Sequence, residues 1–152
     1  MDLITTEIQK ATEVLNFKES DIRLLASGES RPLYFDLLKT FVHGKDRRWW
    51  WEDFVEKAES FQPNENNGYL RIPSLVPDPL EVVWFVVEEC SLDHYPIYET
   101  TPSVATKVIG ECYGFEYYLI PKDRRWLLCE NHHNRLIGLG DSVVQKLKAS
   151  TQ

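Results

Sequence analysis

The stretch FEYYLIPKDRRWLLCENHHNRLIGLG, residues 115–140, decides the fold. Residues 115–120 are a run of aromatic and β-branched side chains, the composition of a strand. Pro121, Lys122 and Asp123 supply a turn, because proline fixes φ and aspartate bonds to the backbone beyond it. The apolar run resumes at 126–129, so the two segments predict an antiparallel hairpin. A second polar turn, Glu130-Asn131-His132-His133-Asn134, leads into a short third strand over 135–138. Side chains with proton-transfer and metal-ligand chemistry are densest at this second turn, which makes it the first candidate site.

Upstream, residues 82–87 (VVWFVV) form an uninterrupted apolar run of strand length and belong in the middle of a sheet. Glu88, Glu89 and Cys90 follow, then a turn over 91–94 and a second strand over 95–98. Thr101 caps a helix with Pro102 at its first position; its apolar stripe is Val104, Ala105, Val108, Ile109 and Cys112, and Gly114 terminates it. Downstream, Gly140-Asp141-Ser142 starts a last helix that turns Val143, Val144 and Leu147 inward, with Lys146 and Lys148 suiting the dipole at its C-terminal end.

The first sixty residues read as helical. Leu3, Ile4, Ile8, Ala11, Val14 and Leu15 recur at helical spacing over 3–16. Ser20 or Asp21 is placed to cap a short second helix through Leu25, Gly28 to Pro32 reads as a breaker, and a third helix runs over 33–42 to an end at Gly44. The polar segment FQPNENN (61–67) opens a long connection through Pro79, either a mobile functional loop or an ordered wrap over the sheet. The expected architecture is therefore one α+β domain over 1–152, with a helical part (1–60), a long loop (61–80) and a sheet with two helices (81–152). The sheet is mostly antiparallel, with about five strands.

Composition limits the function classes. A net charge of −7 argues against non-specific binding to nucleic acid or an anionic membrane and suits a basic partner. No stretch reaches the ~18 apolar residues of a membrane span. The N-terminus, MDLITTEIQK, has no apolar core of a signal peptide. Three cysteines (Cys90, Cys112, Cys129) without CxxC spacing are expected to be reduced, buried thiols in a cytoplasmic protein. No dinucleotide or phosphate-loop spacing appears, so no cofactor is expected.

Trp49, Trp50 and Trp51 are a second candidate. On a helix they would point about 100° apart, so one face cannot bury all three. They either lock the N-terminal helices onto the sheet or form an aromatic binding patch beside Arg47 and Arg48.

At the 130–134 turn, Glu130, His132 and His133 stand beside Cys129, with His94 available from another turn. Imidazole and thiolate together bind zinc, and a histidine beside a carboxylate acts as a general base. The ligand spacing of a zinc finger is absent, so no metal is assigned to His94, Cys129, His132 and His133. A metal nuclease of the strand–strand–helix type lacks its further histidine in the last helix, and no GxSxG elbow is present. Glu88, Glu89, Glu99, Glu116 and Glu130 are candidates to neighbour one another on the sheet, more often a solvated face than an acid/base pair. The plainer reading of Asn131 to Asn134 is a hydrogen-bonded turn, since Asn tolerates left-handed angles.

The segments FEYYL and WLLCENHHNRLIGLG, with VVWFVVEE and WWWE before them, resemble a family of small, functionally uncharacterised bacterial domain proteins. The likeness covers about two-thirds of the chain and implies no activity. In size, acidity and layout the chain also resembles immunity proteins of bacterial toxin systems, including the SMI1/KNR4-like type, an analogy at fold level. The expectation is a non-catalytic protein-binding module for a basic partner, using Glu130, Asn131, His132, His133, Asn134, Trp49, Trp50 and Trp51. The alternative is a small enzyme or metal-binding protein with its site at the same turn.

Overall fold

Seven strands, two more than expected, form one antiparallel sheet in a computed structural model that describes residues 3–43, 50–64 and 67–150. The strands are β1 (Arg23–Leu24), β2 (Glu59–Phe61), β3 (Val83–Val87), β4 (Ile97–Thr100), β5 (Tyr117–Pro121), β6 (Leu127–Glu130) and β7 (Leu136–Leu139). The helices are α1 (Ile4–Val14), α2 (Ser27–Phe41), α3 (Ile72–Leu75), α4 (Pro102–Gly110) and α5 (Asp141–Ser150). Across the sheet the order is β1-β4-β3-β5-β6-β7-β2, so the five anticipated strands are contiguous and the two additional ones lie at the edges. No helix among the described residues is long and apolar enough to cross a membrane.

Helices cover both faces of the sheet, because the pleat sends successive side chains to opposite sides. Val83, Phe85 and Val87 of β3 join Tyr117, Leu119 and Leu128 under α1, α3, α4 and α5. Val86, Tyr118, Ile120, Leu127 and Cys129 face the other way, against Tyr34, Leu37 and Phe41 of α2 and against Trp50. An apolar run such as 82–87 is what a strand buried on both faces requires.

The N-terminal part departs from its helical reading in two places. Residues 20–25 do not form a helix; β1 pairs there with β4, Arg23 opposite Glu99 and Leu24 opposite Tyr98. Local bonds favour the turn before it, since Lys18 N–H donates to Asp21 Oδ2 at 2.9 Å and Thr100 Oγ1 donates to the Asp21 carbonyl at 2.7 Å. The expected breaker at Gly28 to Pro32 instead lies inside α2, which starts at Ser27. Pro32 forfeits only one backbone bond, toward Gly28. Burial of Ser30, Tyr34, Leu37, Leu38 and Phe41 outweighs that loss. Gly44, the expected helix end, lies outside the described residues; α2 ends at Phe41.

Elsewhere the local signals act as written. Thr101 Oγ1 accepts from Val104 N–H at 3.3 Å with Pro102 next in the chain, capping α4. That helix stops at Gly110, so Cys112 and Gly114 lie beyond it. The described part of the 61–80 connection is an ordered wrap: residues 67–80 make a 3-10 turn, Gly68–Arg71, running into α3, with Ile72, Leu75 and Val76 buried. The expectation of three buried thiols holds for Cys129 alone; Cys90 is exposed and Cys112 half-buried.

Candidate functional site

Strand register brings the acidic residues to one end of the sheet. Val87 pairs with Tyr117, and Tyr117 pairs with Glu130, so these three stand abreast. One residue further, Glu88 N–H donates to the Glu116 carbonyl at 3.0 Å, and the pleat turns both carboxylates to the opposite face. Two carboxylate groups result on opposite faces, and the turn that follows β6 borders both: Asn131, His132 and Asn134 also line the cleft beside Glu130.

On one face Glu116 organises the histidine turn. It is 5 % exposed, and its Oε2 accepts from the His132 backbone N–H at 2.7 Å and also contacts His132 Nδ1. Oε1 accepts from Trp51 Nε1 at 3.3 Å. Burial acts to raise the Glu116 pKa, but hydrogen bonds with Glu88, with the His132 ring and N–H, and with Trp51 hold it below the ordinary carboxylate value. An ionised carboxylate only accepts, so Nδ1 of a neutral His132 carries the proton. Cys90 Sγ donates to Glu88 Oε1 at 3.1 Å at the outer end of this chain of contacts.

The turn itself is hydrogen-bonded throughout. Asn131 Oδ1 accepts from His133 N–H at 3.0 Å and from Arg135 N–H at 3.1 Å, Asn134 N–H donates to the Asn131 carbonyl at 2.9 Å, and Asn134 adopts φ 60°. Gln62 Nε2 braces it from outside, donating to the His133 and Asn134 carbonyls at 3.2 and 3.3 Å. This sharp bend sets the His132 and His133 rings side by side, with centroids 4.0 Å apart. Trp51 packs on both, at 5.8 and 6.2 Å.

On the other face, Glu130 lines a cleft of about 230 Å³ whose walls include Tyr69, Ile109 and Phe115. Tyr117 OH donates to Glu130 Oε1 at 2.8 Å, while Oε2 has no hydrogen-bond partner among the described residues. Nor does any described Lys or Arg form an ion pair with Glu130. Burial raises its pKa, and the Tyr117 bond offsets this only in part. Burial likewise pushes the Tyr117 hydroxyl well up. Gly68 permits the approach of the backbone here: a Cβ on it would lie 3.0 Å from Glu130 Oε2 and 3.3 Å from Pro63 Cγ.

A family model described as a family of unknown function (DUF6756) matches residues 2–151. The chain belongs to DUF6756. Comparison with the curated proteins and with the solved structures finds no match.

The remaining predicted site residues of this DUF6756 chain scatter. Trp49 lies outside the described residues. Trp50 is fully buried, stacked on Tyr118 with centroids 4.6 Å apart, so it is a core residue and not part of a binding patch. Trp50–Glu52 is a single 3-10 turn, so the α-helical spacing considered for the tryptophans does not apply to Trp50 and Trp51. His94 is engaged by Ser30 Oγ at 3.0 Å and Asp93 Oδ1 at 2.8 Å, and Cys129 is sealed in the core with its thiol pKa pushed up by burial. Among the described residues no three His, Cys, Asp or Glu side chains are grouped to hold a metal ion.

Of the five carboxylates, Glu88 and Glu116 do meet in a side-chain hydrogen bond, while Glu89, Glu99 and Glu130 are engaged elsewhere. Glu99 bonds Lys122 and Arg23, and Glu89 Oε1 accepts from the Ile4 N–H at the start of α1, at 2.9 Å. Glu116 and Glu130 are buried rather than on the solvated face expected for them. Tyr117 and Tyr69 were not singled out from sequence. A charged residue inside the aromatic run at 115–118 was the one available signal for Glu116.

Proposed function

We propose that the protein is a non-catalytic binding module that offers the acidic, aromatic-edged end of its sheet to a basic protein partner. The observation that carries this reading is Glu130: a carboxyl 7 % exposed in a cleft, with one oxygen unpartnered and no ion-paired cation among the described residues. A carboxyl kept so costs stability unless something pairs with it. The overall charge of −7 would speed encounter with a basic partner. A cytoplasmic bacterial setting and an immunity-protein role fit this reading, through the likeness of size, acidity and layout alone.

The test is identification of the partner from the source cells, followed by affinity measurement with both purified proteins. Binding should weaken at least tenfold between low salt and about 1 M salt, where the Debye length is ~3 Å. A complex equally tight at both would overturn the electrostatic reading.

One observation favours a second reading, a small hydrolytic enzyme. A buried carboxylate orienting a partly exposed histidine is the arrangement of a general base. A hydrolytic activity lost in both His132→Ala and Glu116→Ala, with the fold intact, would replace the binding reading with this one.

A further inference from the structure

We infer that the cleft at the sheet end receives one arginine side chain of a protein partner, its guanidinium pairing with Glu130 Oε2 against the rings of Tyr69 and Phe115. This rests on the binding-module reading and names what the partner inserts. Three observations lead to it.

The first is chemical. Glu130 is hidden except toward the cleft, its Oε1 is fixed by Tyr117, and Oε2 meets no donor and no cation among the described residues. A glutamine would serve Tyr117 equally well as an acceptor, so the bond within the fold does not explain the acid. Second comes size. The cleft, about 230 Å³, falls below the ~300–1,000 Å³ of pockets that enclose whole small molecules, and suits one side chain. The third is the walls. Two aromatic rings and Ile109 beside a carboxyl favour a planar, weakly hydrated cation that stacks and pairs at once. Guanidinium does both; the ammonium of lysine is compact and strongly hydrated.

The probe is N-acetyl-arginine amide, titrated into the ¹⁵N-labelled full chain while the backbone amides of Gly68, Tyr117, Asn131 and His132 are followed. These amides should shift saturably, with Kd on the order of 1 mM for a ligand of about fifteen non-hydrogen atoms. Glu130→Gln keeps the acceptor for Tyr117 and should weaken binding at least tenfold. Tyr69→Ala should weaken it several-fold, and N-acetyl-lysine amide should bind more weakly than the arginine probe. Shifts that persist unchanged in Glu130→Gln, or equal affinity for the lysine probe, overturn the assignment. Free arginine binding tenfold tighter than the capped probe overturns the protein source and points to a small metabolite. A purified basic partner that binds wild type and Glu130→Gln alike, with salt dependence, removes this pocket and leaves the binding-module reading standing.

Discussion

Tyr117→Phe and Glu130→Gln probe the same hydrogen bond from its two ends, and their stabilities should diverge with pH. Tyr117 OH donates to Glu130 Oε1 at 2.8 Å in a buried setting. Losing that donor while the acceptor stays costs about 1–3 kcal/mol, or about 2–4 °C in Tm for each kcal/mol in a chain of this length. The Glu130 pKa is raised in the folded protein, burial exceeding the opposing effect of Tyr117. A carboxyl with a raised folded pKa stabilises fully below its unfolded value of about 4.3 and loses that contribution as pH rises through the folded value. Wild type should therefore lose stability over that rise relative to Glu130→Gln, which has nothing to ionise. Tyr117→Phe removes the one group that eases ionisation, so its deficit against wild type should grow over the same range. The assay is urea unfolding of the three proteins at pH 4 and at pH 8, compared as differences so that other titrating groups cancel. A wild-type minus Glu130→Gln difference that does not change with pH, or changes in the opposite sense, would refute the reasoning.

Glu116 should show the reverse dependence. Its folded pKa is depressed, so Glu116→Ala should cost about 2–3 kcal/mol at pH 7, through charged hydrogen bonds to His132 and Trp51, and progressively less as pH falls below the unfolded carboxylate value. Chemical denaturation across pH 3–7 measures this, and a cost that grows on acidification contradicts it. Gly138→Ala places a Cβ 2.7 Å from Leu147 Cδ1 and against the Val143 side chain, which overpacks α5 on β7 by about 1–3 kcal/mol. An unchanged Tm would mean that α5 shifts freely. Trp50→Ala should cost about 3–5 kcal/mol, as for a fully buried ring, whereas the half-buried Trp51 should cost clearly less on truncation while displacing the His132 and His133 resonances in NMR spectra.

The strands legible in the sequence were those whose own side chains fill a core. Residues 82–87 and 117–120 are apolar on both faces, and helices cover both faces. β1 and β2 carry Arg23, Leu24, Glu59, Ser60 and Phe61, which have no periodicity of their own; they are strands because β4 and β7 offer unpaired backbone beside them. Pro32 misled for a related reason, since buried side chains on both sides of it hold the helix together. At the site, the turn of Asn131 to Asn134 was readable because Asn131, His133 and Asn134 bond to one another. Its connection to Glu116 was not, because that depends on the register of β5 against β6, sixteen residues back along the chain. Glu130 was visible as a candidate, but its burial comes from Gly68 and Tyr69 in a segment that looked like loop.

The position of β1 and β2 at the two ends of the strand order bears on how the central strands are kept from offering bare edges. Residues 83–139 supply five neighbouring strands, and alone that array would expose the outer backbone of β4 and of β7. Such rows of unpaired N–H and C=O groups are templates for other chains. The N-terminal part sends one short, charge-bearing strand to each: Arg23 opposite Glu99 on one side, Glu59 opposite Gly138 on the other. A ribosome releases these two covers before the sheet that needs them. Removing residues 1–61 should therefore make the protein precipitate, through the bared strand edges and through the sheet face that α2 and Trp50 cover.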